Sequence, residues 1–193
     1  RINDAADGYA VNGWEAESVE NHSGIVDCFR NPKADPAMMA YYNQPLYVAV
    51  KTRSQFAQIP GNVAVDFHVI NEKNLRGPCT LNLSVKDPAG QETFAQSFPV
   101  TLSGGEVYGE LLKAGVAVPI AGATGFFRVT ARLVDAGGKQ VATGRDEVLA
   151  VDWRGENLGG KGATWENPPR VREFLQQQKR LEVHNLISRI PDC

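Results

Sequence analysis

Apolar and polar residues alternate through most of positions 46–151. In one such stretch Phe127, Val129 and Leu133 are separated by arginines and a threonine. A period of two is typical of a β-strand with one face in the core and the other in solvent. The Asp-Ala-Gly-Gly run at 135–138 favours a tight turn, because glycine takes positive φ without a steric clash. The pattern therefore predicts a β-hairpin over 124–152.

The same alternation recurs on the N-terminal side of this hairpin, with an inward stripe that includes Val65 and Phe67. Proline and glycine separate the strands, most clearly in the Asp-Pro-Ala-Gly run at 87–90. The strand at 93–102 contains Pro99, which predicts a position at the edge of a sheet. About seven strands at regular spacing are typical of an all-β, immunoglobulin-like antiparallel sandwich.

The segments on either side lack this alternation. Residues 1–45 are predicted to be irregular, apart from a short helix at 37–42 that Asp35 caps and Pro36 begins. The sandwich is assigned to 46–152. Residues 153–193 are predicted to form a glycine-rich connector and a C-terminal helix with an apolar face around Phe174.

Composition excludes several classes of function. The chain of 193 residues is 42% hydrophobic and carries a net charge of -2, so we predict no nucleic-acid partner and no anionic membrane partner. No apolar run reaches the roughly 20 residues that span a bilayer. No secretory leader is predicted after Arg1, and a chain that begins with Arg is expected to be a processed protein or an excised piece.

The residues that commonly bind metals are widely scattered. Cys28, Cys79 and Cys193 are predicted to be buried free thiols, with a disulfide between Cys28 and Cys79 as the alternative. The histidines are isolated and show no ligand spacing, so no metal and no cofactor is predicted.

The densest polar cluster lies near the N-terminus and includes Trp14, Glu15 and Glu17. Glycoside hydrolysis needs two carboxylates on opposite sides of the scissile bond. Glu15 and Glu17 would instead lie side by side, about 7 Å apart on one face of an extended strand. We interpret the cluster as a solvated acidic loop and assign no catalytic residue, with Glu15 and Glu17 kept as candidates.

Three tryptophans in predicted loops are candidates for carbohydrate binding: Trp14, Trp153 and Trp165. Sugar rings stack on aromatic faces, and binding residues concentrate in loops. The alternative is that each ring plugs an edge of the core.

The passage Ser-Gly-Ile-Val-Asp-Cys-Phe-Arg-Asn-Pro-Lys at 23–33, preceded by Asn-Gly-Trp-Glu at 12–15, resembles the segment that leaves the catalytic barrel in glycoside hydrolases of family 2. This group includes β-galactosidases, β-glucuronidases and β-mannosidases. The resemblance extends over roughly 9–180, and the Gln-Pro-Leu-Tyr-Val run at 44–48 is similar to the start of the immunoglobulin-like domain after the barrel. It implies that Trp14 belongs near a sugar pocket and that the protein is secreted or periplasmic.

The resemblance transfers no catalytic residue, because the family's two glutamates lie on barrel strands that precede this passage. Asn71-Glu72 matches the acid/base motif in letters only, since it falls at the end of a predicted sandwich strand.

Three hypotheses follow. The first is a non-catalytic accessory domain with weak carbohydrate affinity, whose partner is carbohydrate or the missing catalytic barrel. The second is a stand-alone glycosidase acting on plant polysaccharide, with Asp66, Glu147 or Glu166 opposite the N-terminal acids. The third is an interdomain or oligomeric packing module that uses the helix face around Phe174. The sequence leaves the oligomeric state open.

Overall fold

The structure, a computed structural model, describes Ile2 and residues 13–16, 24–105, 109–154, 159–164 and 180–185. The chain divides into two compact units, residues 1–152 and residues 153–193. In the first unit a short helix is followed by eight strands: α1 (Pro36–Tyr42), β1 (Leu46–Thr52), β2 (Phe56–Gln58), β3 (Gly61–Asn71), β4 (Gly77–Lys86), β5 (Glu92–Leu102), β6 (Gly109–Ile120), β7 (Gly125–Asp135) and β8 (Gln140–Val151).

These strands form two sheets, which confirms the all-β sandwich. One sheet has the order β1-β3-β6 and the other the order β2-β8-β7-β4-β5. Their inward side chains share one hydrophobic core, in which Phe67, Leu81, Phe127 and Leu133 have no exposed surface. The period-two stripes therefore reflect the burial of one face of each strand.

The two sheets approach closely where β1 lies against β8. A Cβ added to Gly144 would overlap the backbone carbonyl of Val48. Only glycine leaves room for this approach, because every other residue places a carbon atom there.

The local signals for turns and caps are confirmed. Asp35 accepts a hydrogen bond from the Ala37 amide at 2.9 Å, so it caps α1. In each of the two long hairpins an aspartate at the start of the turn accepts two backbone amide bonds through one oxygen. Strand β5, which contains Pro99, lies at the edge of its sheet.

The structure differs from the sequence-based expectation at three places. The three-residue strand β2 was not predicted, and it pairs in parallel with the end of β8. Within the predicted glycine-rich connector, β9 (Gly159–Thr164) pairs in parallel with β10 (Arg180–Asn185). The predicted C-terminal helix falls largely outside the described residues, and its last apolar position, Leu181, lies in β10.

Candidate functional site

Two short N-terminal segments, residues 13–16 and 24–33, are joined by backbone hydrogen bonds. The Ala16 amide donates to the Val26 carbonyl at 2.9 Å, and the Val26 amide donates to the Trp14 carbonyl at 3.1 Å. Val26 also forms an antiparallel bridge with Pro32, and it is buried. The candidate residues Trp14 and Glu15 are therefore positioned by the passage that carries the family resemblance.

Gly24 is required by this close pairing. A Cβ at Gly24 would overlap the backbone of Glu15 and Ala16. The glycine of the Ser-Gly-Ile-Val run thus serves the approach of two chain segments rather than a ligand.

Asp27 organises the turn that follows. One carboxylate oxygen accepts hydrogen bonds from the Phe29 and Asn31 amides, both at 2.8 Å, and the other accepts from the Asn31 side chain at 3.0 Å. The Asn31 side chain, followed by the backbone amides, holds the pKa of Asp27 below its usual value. Inside this turn Arg30 takes a left-handed conformation with φ 66°. Asp27 is therefore a structural carboxylate.

Glu15 is held by the same turn. The Arg30 side chain donates to its carboxylate at 2.7 Å. The other catalytic candidate, Glu17, lies outside the described residues. The structure thus brings Glu15 next to a cation, and the other described carboxylate of this region, Asp27, is used in the turn.

The tryptophan side chains that the structure describes are in solvent. Trp14 is 64% exposed and Trp153, in the second unit, is 43% exposed. Both side chains therefore keep a large exposed surface. Trp165 lies outside the described residues.

Two of the candidate acids on the sandwich, Asp66 and Glu147, also form ion pairs. Asp66 accepts from Arg53 at 2.8 Å and from the Gly115 amide at 2.7 Å. The Arg53 side chain is the main reason why the pKa of Asp66 lies below its usual value. Glu147 pairs with Arg128 at 2.9 Å on the sheet surface. Glu166 lies outside the described residues.

The thiols and histidines form no metal centre in the described part of the chain. No group of three potential ligands comes together there. Cys28 and Cys79 are free, but Cys28 is exposed, so the expectation that it is buried was wrong. Cys79 is buried, and burial raises the pKa of its thiol. His68 lies half-buried with its ring 3.3 Å from the Gly109 carbonyl.

Sequence reasoning missed an apolar feature on the outer face of the five-stranded sheet. Phe56 on β2 and Phe126 on β7 both pair with Leu149 on β8, so the three side chains share one face. We call these three residues the aromatic row. Phe56 is 60% exposed and Phe126 is 61% exposed. The run Gly-Phe-Phe at 125–127 could have indicated one outward ring, but the short strand β2 gave no signal for the other.

No helix among the described residues is long and apolar enough to cross a bilayer.

Comparison with known proteins gave matches only among solved structures. No protein-family model matches the chain, and no curated protein does. A glycosyl hydrolase family 2 member from Bacteroides cellulosilyticus is 17% identical with a TM-score of 0.43, over 55% of this chain and 15% of that one. A second structure of a family 2 member from B. cellulosilyticus is 15% identical with a TM-score of 0.46, over 72% and 22%. A β-glucuronidase from Bacteroides uniformis is 14% identical with a TM-score of 0.40, over 53% and 13%.

The matched enzymes are much longer than this chain, which aligns with 13 to 22% of their lengths. Two of them carry the name of the family that the 23–33 passage resembles.

Proposed function

We propose that this chain is a non-catalytic, immunoglobulin-like accessory domain of a larger family 2-type glycoside hydrolase, with weak affinity for carbohydrate. The observation that carries the proposal is the use of the candidate carboxylates: Glu15, Asp27, Asp66 and Glu147 each serve an ion pair or a turn. The 23–33 passage, which resembles a barrel exit, leads through α1 directly into the first strand of the sandwich.

Hydrolysis of a glycoside needs a different arrangement. One carboxyl must remain protonated near neutral pH, and a second must face it across the sugar at about 5 to 9.5 Å. Asp27 and Asp66 instead have lowered pKa values. Glu15 and Glu147 have arginines as direct partners. These groups are arranged to hold backbone and strands together.

The partners that follow from this proposal are carbohydrate and the catalytic barrel that precedes such domains in family 2. A secreted or periplasmic location is the corresponding proposal for the cell. Trp14 extends into solvent from the barrel-exit passage and would lie at the junction with the barrel.

Two measurements test the proposal. The purified chain is incubated with nitrophenyl glycosides and with soluble plant polysaccharides, and we expect no release of product. The reading frame upstream of Arg1 is then sequenced, and we expect a barrel with two catalytic glutamates.

Release of reducing sugar that Glu15→Gln abolishes, with Glu110→Gln on β6 as the matched control, would establish the stand-alone glycosidase instead. An upstream frame without a barrel would remove the accessory role.

A further inference from the structure

We propose that the outer face of the five-stranded sheet binds a neutral, extended oligosaccharide, stacked on the aromatic row and hydrogen-bonded by the charged residues beside it. The choice of carbohydrate as the ligand class rests on the proposed function. The location of the site rests on the geometry of Phe56, Leu149, Phe126, Arg128 and Glu147.

The aromatic row has the length of a short oligosaccharide. Phe56 and Phe126 lie on strands β2 and β7, which are separated by β8. Neighbouring strands are about 4.8 Å apart, so the Cα atoms of the two phenylalanines are separated by about 10 Å, a distance on the order of two linked sugar rings. Half-buried Leu149 lies between them. A ligand with one flat apolar face can therefore contact all three side chains.

A charged row lies next to the aromatic row on the same face. Arg128 and Glu147 are two positions from Phe126 and Leu149 along their strands, and they face each other across the pair. Arg128 donates to Oε1 of Glu147 from Nε at 3.1 Å and from Nη2 at 2.9 Å. Oε2 of Glu147 and the remaining terminal nitrogen of Arg128 can thus accept from and donate to ligand hydroxyls. A sugar presents this combination of an apolar face and a hydroxyl rim.

The charges in this row cancel. Across the sheet, Glu147 is followed by Arg128, Lys86 and Glu92 on successive strands. The two anions and two cations leave this row without net charge, while Arg132 and Arg145 lie farther along β7 and β8 on the same face. A neutral oligosaccharide that follows the aromatic row therefore meets balanced charges beside it.

The size of the apolar surface argues against a protein partner. Two phenylalanines that are each about three-fifths exposed offer roughly 250 Å² of ring surface. A stable protein interface needs about 800 Å² from each partner. A ligand of a few sugar rings matches the area that the row supplies.

The row is also fixed in place before a ligand arrives. Its residues lie on paired strands, and the Leu149 amide donates to the Gln55 carbonyl at 2.8 Å beside Phe56. Preorganised side chains lose less conformational freedom on binding than side chains on loops.

The test is isothermal titration calorimetry of the full chain with cellohexaose, xylohexaose and mannohexaose, with glucose as the short control. We expect at least one hexasaccharide to bind and glucose not to bind measurably. Phe56→Ala and Phe126→Ala should each weaken binding by about two- to tenfold, the range for one aromatic contact. Phe126→Tyr keeps the ring and should bind like the parent.

Leu111→Ala is the matched control, because Leu111 is 53% exposed on β6 in the other sheet. Trp14→Ala and Trp153→Ala test whether the tryptophans, rather than the aromatic row, bind the sugar. Binding that depends on a tryptophan and is unchanged in both phenylalanine variants would overturn the inference, as would a lack of binding to all three sugars at millimolar concentration. Sedimentation of the same variants would reveal self-association through the row, which would also overturn it. None of these outcomes changes the expected upstream barrel, so the accessory role is tested separately.

Discussion

At the scale of single residues, Gly144 sets the distance between the two sheets. A methyl group there would meet the Val48 carbonyl on the facing strand. We expect Gly144→Ala to lower the free energy of unfolding by about 1 to 3 kcal/mol, because backbone must move to admit the added carbon. Urea unfolding followed by circular dichroism measures this loss.

Gly137→Ala is the control for that substitution. Gly137 lies in the exposed turn between β7 and β8, where an added Cβ comes 3.3 Å from the Asp135 carboxylate. We expect a much smaller change there. Equal losses of stability in the two variants would show that the cost comes from replacing glycine by alanine at any position, rather than from the contact with Val48.

Asp66 connects pH to stability at this scale. Its pKa is lowered in the folded state, mainly by the Arg53 side chain, so its stabilising contribution is complete above the unfolded value of about 3.9 and is lost as pH falls through the folded value. We expect Asp66→Asn to cost about 1 kcal/mol at pH 7, because Arg53 is largely exposed and solvent screens the pair. The cost should shrink as the pH is lowered below 3.9. Urea midpoints of both proteins at pH 7 and at about pH 3 measure it.

If the parent and Asp66→Asn differ in stability as much at the lower pH as at pH 7, the charge of Asp66 is not the cause of the difference. Asp87→Asn is a useful comparison, because the Asp87 carboxylate accepts from the backbone amides of Ala89 and Gln91 in its turn rather than from an arginine.

Single residues with a local signal were predictable, and those with distant partners were not. Asp35 caps a helix two positions away, and the sequence contains both partners side by side. Gly144 instead lies against the Val48 carbonyl, and Asp66 accepts hydrogen bonds from Arg53 and Gly115. These contacts depend on how strands are ordered, which no short window of sequence contains.

At the scale of elements, the inward stripe of β3 supports the sandwich. Phe67 has no exposed surface and lies in the shared core. We expect Phe67→Ala to destabilise the protein by roughly 3 to 5 kcal/mol, since a large buried ring is replaced by a cavity. Leu111→Ala on the neighbouring strand removes an exposed side chain and should leave the urea midpoint nearly unchanged. A melt of the Phe67 variant close to that of the parent would contradict the role of the stripe.

The strands were predictable to the extent that they bury one face. Strands β4 and β7 alternate in burial along nearly their whole length, and β3 does so from Val63 to Val69. Strand β2 has only three residues, which is too short for a period to register. The aromatic row went unrecognised for the same reason, because half of it depends on β2 being placed beside β8.

At the scale of the whole molecule, the sandwich core lies within the first of the two units. Among the described residues, the buried core cluster runs from Val48 to Ala150, and the first unit ends at residue 152. We therefore expect a chain that ends at Asp152 to unfold in a single cooperative transition. Urea denaturation followed by two probes, tyrosine fluorescence and circular dichroism, checks this. Transitions that fail to coincide would show that residues 153–193 are needed to complete the fold.

The unpaired side of β5 has a consequence for concentrated solutions of the protein. Between Thr93 and Leu102 this strand carries no charged residue, so electrostatic repulsion does little to keep a neighbouring molecule from adding to it. Pro99 removes a donor from the strand and interrupts its regularity. Pro99 therefore opposes the addition of strands from other molecules to this edge. We expect Pro99→Val to make β5 a better template for fibril growth.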